Sequence, residues 1–390
     1  MVMNNISRLA SALTPNILQE LEARRVELTE SGMNIINLSA GTPDIPPAAH
    51  IMNTVSVASL DPENYKYTLI VPDEVKSAVV QWYRKRYGVE IVPDEFVTLY
   101  GSQEGFAHIF HVLCDPGDTV IAGTPGYPVF FFGPYMAGAE VYRTPLLPEN
   151  GFLIDFEKIP ADVARRARAI VVSYPSNPLG AVANADFYER LVAFAKRFDI
   201  SVIHDNAYSE IIHDGIPGDS FLSIPGAKDV GIEFNSLSKS YCLTGLRISF
   251  ALGNKELIGA FRRLRSNIDY GLSTLDHIAA VAALTGPQDA LAQNRAAYRE
   301  RRDAFCLALR KIGWDVPMTP ATMFTWFPLP EGVKDSNEFC MELLEKAGVM
   351  CVPGACFGEG GEMWVRFALI RPPDTLREAA RRIGVYLQTH

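Results

Sequence analysis

The chain has 390 residues, 48% hydrophobic and 21% charged, the make-up of a globular protein with two or three domains. Its net charge of −9, with both signs interspersed, speaks against nucleic acid as a partner, because backbone phosphates call for a basic face. No apolar run of about 18 residues occurs, and the opening "MVMNNISRLASALTPNI" lacks the basic start and apolar core of a signal peptide, so no membrane partner and a cytoplasmic location are expected.

In chain order, residues 1–45 read as an N-terminal helix and a crossing arm that could pack on either domain. Residues 46–285 read as a large domain. In it, "DTVIAG" (118–123), "RAIVVSY" (168–174), "ISVIHD" (200–205), "VGIEFNS" (230–236) and "ISFALG" (248–253) alternate with amphipathic segments such as "DFYERLVAFAKRF" (186–198). Near-continuous apolar strands separated by helices describe a mostly parallel sheet covered on both faces, an α/β fold whose ligands sit at the carboxyl ends of the strands. Residues 286–390 read as a smaller α+β domain: a long charge-laced helix (286–315), short strands in "MFTWFPLP" and "MWVRFALI", and a last helix from about Thr375. There, Thr375 and Glu378 have capping-box spacing.

His108 and His111 stand at i, i+3 in "HIFH", but no third ligand has matching spacing and no metal is expected. The six cysteines, Cys114, Cys242, Cys306, Cys340, Cys351 and Cys356, show no C-x-x-C pair and read as reduced thiols.

The strand ends carry the chemistry. "SYPSNPLG" supplies Asn177, "HDNAYSEI" supplies Asp205 and Tyr208, and "NSLSKSYCLTGLR" (235–247) supplies Lys239 among Ser236 and Ser238. Taken alone, that last stretch is equally a nucleophile's setting or a solvated Ser/Lys loop. A carboxylate deep at a strand end needs a cation. A pyridinium nitrogen would serve, an amide and a phenol could bond a ring hydroxyl, and a lysine could form an imine with an aldehyde. Together these requirements describe pyridoxal 5′-phosphate.

With "AGTPD" (40–44), "GSQEG" (101–105), "PGYP" (125–128), "PGACFG" (353–358) and "VRFAL" (365–369) in the same order, the chain resembles the class I/II, fold-type-I pyridoxal-phosphate aminotransferases. The resemblance leans to the alanine, LL-diaminopimelate and aromatic branch. It implies transfer of an α-amino group to a 2-oxo acid by a ping-pong mechanism, with the cofactor held by Lys239 as a Schiff base. Lys239 would then move the proton, Asp205 would keep the ring nitrogen protonated, and Asn177 and Tyr208 would hold the ring oxygen. Tyr127 would lie on the ring face. Gly101, Ser102, Gln103, Ser236, Ser238 and Arg247 would bind the phosphate. Arg366, costly inside an apolar strand unless it meets an anion, would clamp the substrate carboxylate beside the backbone of Gly41, with Asn177 alongside. The bland readings are a helix cap for Asp205, a core tyrosine for Tyr127 and a strand arginine paired with a structural acid for Arg366.

The resemblance also implies a homodimer in which Tyr67 or Tyr65, with Tyr67 preferred, reaches the neighbouring subunit's phosphate. The chain departs from the pattern at "LIVPD" after the tyrosines, and at Ile45, Ser249 and Met323, positions expected around the substrate mouth or domain interface. Only Arg265 lies in the segment where dicarboxylate-specific relatives carry a second arginine, and it stands early there, so apolar or small polar donors are expected. A lyase, synthase or oxidase on the same scaffold is the alternative. A regulator's effector domain is set aside, because some forty residues before "AGTPD" leave no room for a DNA-binding module.

Overall fold

A computed structural model describes residues 6–11 and 17–389, so residues 1–5 and 12–16 of the expected N-terminal helix and arm, and residue 390, lie outside the described residues. Seven strands form the main sheet: β1 (Phe96–Leu99), β2 (Thr119–Thr124), β3 (Glu140–Pro145), β4 (Ala167–Ser173), β5 (Ser201–Asp205), β6 (Gly231–Ser236) and β7 (Ser249–Gly253). They lie in the order β1-β7-β6-β5-β4-β2-β3, and β7 alone runs antiparallel to its neighbours. The apolar runs are continuous because both faces are covered. Along β4, Ala169 and Val171 join the layer built on Phe106, Phe110 and Phe234, while Ile170 and Val172 join the layer built on Phe187, Tyr188 and Leu191. The second layer includes the helix Ala185–Phe198, whose N-cap Asn184 accepts from Phe187 N at 3.0 Å.

A smaller sheet of β8 (Phe324–Pro328), β9 (Val352–Pro353) and β10 (Trp364–Ala368) is antiparallel, in the order β9-β10-β8. It packs with two helices, α1 (Asp289–Lys311) and α2 (Pro373–Thr389), around Phe305, Phe327 and Phe367. The arm joins this second core: Ile36–Asn37 pairs in parallel with Val349–Met350, and Leu38 is fully buried there. The last helix already begins at Pro373, so Thr375 sits inside its first turn rather than at a cap. Glu378 instead takes bonds from Arg381 and Arg382, one turn on. Among the described residues no helix is long and apolar enough to cross a membrane.

Candidate active site

Three carboxyl-terminal strand ends, β4, β5 and β6, open onto one cleft of about 550 Å³ between the large sheet and the small one. Strand register sets the first polar group. Asp205 ends β5 opposite Ser173 and Phe234, 7% exposed, with Oδ2 accepting from Ser173 Oγ at 3.3 Å and Oδ1 buried without a protein partner. Burial pushes its carboxyl up from 3.8 to about 6, against the pull of His204, the Ala207 N–H and Ser173. A buried carboxylate with one open oxygen is a seat for a cationic N–H.

Lys239 follows β6 on a one-turn helix, Leu237–Ser240, started by Ser236 Oγ accepting from Ser238 N at 3.2 Å. Its Nζ donates to the Gly41 carbonyl. Burial first, then the Arg366 and Arg247 charges, lower its ammonium to about 8, so the amine is neutral over far more of the working pH range than an ordinary lysine's.

The opposite wall is an anion cradle. Gly101 precedes the helix Ser102–Leu113 at φ +84°, and a Cβ there would run into the Arg247 guanidinium, so glycine is required for the arginine to approach. The helix start offers free N–H groups, Ser102 Oγ is buried without a partner, and Arg247 stays open to the cleft with one bond, to Thr244 O at 2.9 Å. Gln103 Oε1 accepts from Tyr127 OH at 2.9 Å, which holds that ring over the cleft. Tyr208, buried, packs edge-on to Phe324, and burial raises its phenol far above the usual range.

Arg366 stands mid-strand on β10, 7% exposed. Nη1 donates to Asn177 Oδ1 at 3.0 Å and Nη2 to Ser39 O at 2.9 Å, while Nε is buried without a partner. The guanidinium lies 4.1 Å from the Phe324 ring centre and 5.0 Å from that of Phe357. Among the described residues no carboxylate pairs with it, and burial lowers it to about 10. The structural-acid reading of Arg366 therefore fails.

All the expected site residues of one protomer line this cleft or, like Gly101, flank it; Tyr67 does not. Tyr67 is 80% exposed and packs at 5.1 Å on Tyr270, while Tyr65 OH donates to Ser59 O at 2.8 Å. Ser249 and Met323 are fully buried and Ile45 is half-buried; none of the three lines the cleft, and Met323 and Ile45 pack in the cluster that also holds Tyr208 and Ile211. Arg265 is likewise elsewhere, bound to Asp269 at 2.6 Å and to the Thr98 carbonyl. Sequence reasoning missed Leu18, Ser39, Cys356, Phe324 and Phe357. Only the two phenylalanines left a signal, as aromatics inside "FTWF" and "PGACFG".

An open carboxylate, a lowered amine and an anion cradle match, in order, the ring nitrogen, aldehyde and phosphate of pyridoxal phosphate, so the residues present fit that group.

The sequence profile of the family described as aminotransferase class I and II matches residues 33–383. The chain is 43% identical over 373 residues to the LL-diaminopimelate aminotransferase of Moorella thermoacetica, covering 95% of each, and 41% identical to that of Syntrophobacter fumaroxidans, covering 95% of this chain and 96% of the other. Substrate-bound BacF from Bacillus subtilis superposes with a TM-score of 0.95 at 35% identity over 98% of both chains. An aspartate aminotransferase double mutant from Thermus thermophilus gives 0.92 at 28% identity, over 98% of this chain and all of the other.

Proposed function

The chain belongs to the class I and II aminotransferases and is a pyridoxal-phosphate-dependent transaminase, and from that premise we propose which side chains do the work and what they act on. When bound, the cofactor supplies an aldehyde that condenses with amines and a ring that takes up the electron pair left at Cα. Lys239 anchors that aldehyde and afterwards takes and returns the proton at the substrate Cα. Asp205 holds a proton at the ring nitrogen through its open Oδ1. Asn177 and Tyr208 bond the ring oxygen, Tyr127 covers the ring, and Gly101, Ser102, Gln103, Ser236, Ser238 and Arg247 hold the phosphate. Arg366, with Gly41 and Asn177, takes the substrate carboxylate on its free Nε edge. The observation that carries this reading is the convergence of Asp205, Lys239 and Arg366 on one cleft.

The donor we propose has an apolar or small polar side chain. Within one protomer, Leu18, Val129, Phe324 and Phe357 line the cleft, and among the described residues its guanidiniums are Arg247 and Arg366 alone. LL-diaminopimelate, the substrate in the relatives' name, would have to find partners for its distal charges outside this protomer's cleft. The test is the visible spectrum of the holoenzyme while alanine, phenylalanine, LL-diaminopimelate, aspartate and glutamate are added singly without a keto acid. The expected result is loss of the cofactor's aldehyde-form band with an apolar donor and its return on adding a 2-oxo acid. A persistent band with ammonia or pyruvate accumulating would assign a lyase instead.

We also propose a cytoplasmic homodimer whose subunits divide into an N-terminal arm (1–45), a large domain (46–285) and a small domain (286–390), with Tyr67 serving the partner's cleft. Support comes from one exposed apolar run: Val57, Leu60, Tyr65, Tyr67, Leu69 and Ile70 are each at least 68% exposed. If so, two inactive variants, Lys239→Ala and Tyr67→Ala, should recover activity on being unfolded and refolded together. A hybrid dimer holds one intact site, so about a quarter of wild-type activity is expected. Recovery of none in a confirmed hybrid dimer would place Tyr67 outside the site.

A further inference from the structure

Asp44 ends the "AGTPD" motif but does not line the cleft. It is instead gripped from the long helix α1. Arg301 Nη1 bonds Asp44 Oδ1 at 2.7 Å and Nη2 bonds Oδ2 at 2.9 Å, while Nη1 also donates to Leu369 O at 3.0 Å. A side-by-side pair of this kind fixes direction as well as distance, which a lysine's single ammonium cannot do. Arg301 is itself 8% exposed, and Tyr298, one turn back on α1, lies against it at 5.5 Å.

The position of this grip along the chain gives it meaning. Leu38 is pinned to the small domain by two backbone bonds, its N–H to Met350 O at 2.8 Å and its carbonyl from Ala368 N at 2.7 Å. The segment from Leu38 to Asp44 has no helix or strand of its own beyond that point. It is a short span held at both ends, by Leu38 on one side and Asp44 on the other. From inside the span, the Ser39 carbonyl takes Arg366 Nη2 and the Gly41 carbonyl takes Lys239 Nζ. Releasing one end would let both carbonyls drift, and a displacement of about 1 Å is enough to matter at a reacting centre. The third bond of Arg301, to Leu369, ties the same guanidinium to the segment leaving β10, the strand that carries Arg366.

We propose that Arg301 is a positioning residue for substrate capture: through Asp44 it holds the Ser39 and Gly41 carbonyls where they orient Arg366 and Lys239. This rests on Arg366 receiving the substrate carboxylate. The experiment measures, on holoenzymes matched for cofactor content, the Kd of 3-phenylpropanoate, a carboxylate with no amino group to react. KM and kcat for the best donor are read alongside.

Arg301→Gln and Asp44→Asn should each weaken binding about tenfold, and the double variant should lose no more than either alone, because both remove one contact. KM should follow Kd while kcat changes less, and Arg301→Lys should recover part of the loss. Arg366→Gln is the control. If that control leaves Kd and KM unchanged, the carboxylate reading of Arg366 is wrong. If it weakens both while Arg301→Gln and Asp44→Asn stay within about twofold of wild type, the positioning role is overturned on its own. Multiplying losses in the double variant would overturn it too. Should Arg301→Gln not fold, Asp44→Asn and Arg301→Lys decide on the same two readouts.

Discussion

Replacing Lys239 by alanine is expected to abolish the cofactor's bound-form absorbance and to lower turnover by roughly 10⁴-fold or more, since one side chain serves as both anchor and proton carrier. The fold should survive. Lys239 sits on a one-turn helix at the cleft wall, and its one hydrogen bond is to the Gly41 carbonyl. The wild-type amine also makes a pH prediction. Burial and the two guanidiniums lower its ammonium to about 8, so the neutral, nucleophilic form grows as pH rises through that value. The rate at which cofactor-free protein captures pyridoxal phosphate should therefore climb between about pH 7 and 9 and then level off, well before an ordinary lysine would. Arg366→Gln takes away the larger of the two charge effects and should move that climb to higher pH. Wild-type turnover in Lys239→Ala, or a flat loading profile, would remove Lys239 from the centre of the reaction.

The interior of the main sheet was legible in the sequence, and its edges were not. β2, β4, β5, β6 and β7 carry near-continuous apolar runs because helices cover both faces, and each was found within a residue or two. β1 has only four residues, too few to stand out, and β3 leaves Glu140, Arg143 and Pro145 exposed at the rim and so shows no continuous apolar run. The reversed direction of β7 could not be read, since a strand buried on both faces looks alike either way. In the site, residue types at strand ends gave Asp205, Asn177, Tyr208 and Lys239 their chemistry, while resemblance gave the division of labour. What stayed hidden was supplied by backbone or by distant chain. The Ser39 carbonyl has no residue-type signature, and the rings of Phe324 and Phe357 meet Arg366 only because β8, β9 and β10 pair as they do. Asp44 was visible within its motif, but its partner Arg301 lies 257 residues away on α1.

Asp205→Asn should separate stability from catalysis, moving them in opposite directions. In the cofactor-free protein the carboxylate is buried with one oxygen open, and its folded-state value rises from 3.8 to about 6. The sign follows from which state binds the proton more tightly. The folded protein does, so ionisation weakens folding as pH rises from about 4 to about 6, and the full cost persists above that. The rise corresponds to about 3 kcal/mol. An asparagine keeps the shape and the Ser173 contact without the charge, so the cofactor-free variant should melt above the wild type at pH 8 and close to it at about pH 4. With cofactor bound the order should reverse, because a protonated ring nitrogen gives the wild-type carboxylate the cation it lacks. Turnover should fall about 10³-fold, as some 4 kcal/mol of stabilisation disappears once the ring nitrogen is no longer held protonated. Melting curves with and without pyridoxal phosphate at pH 8, beside steady-state rates, test both halves. A variant less stable than wild type without cofactor would mean that Asp205 is already satisfied by the protein, and that its open oxygen is no seat for the ring.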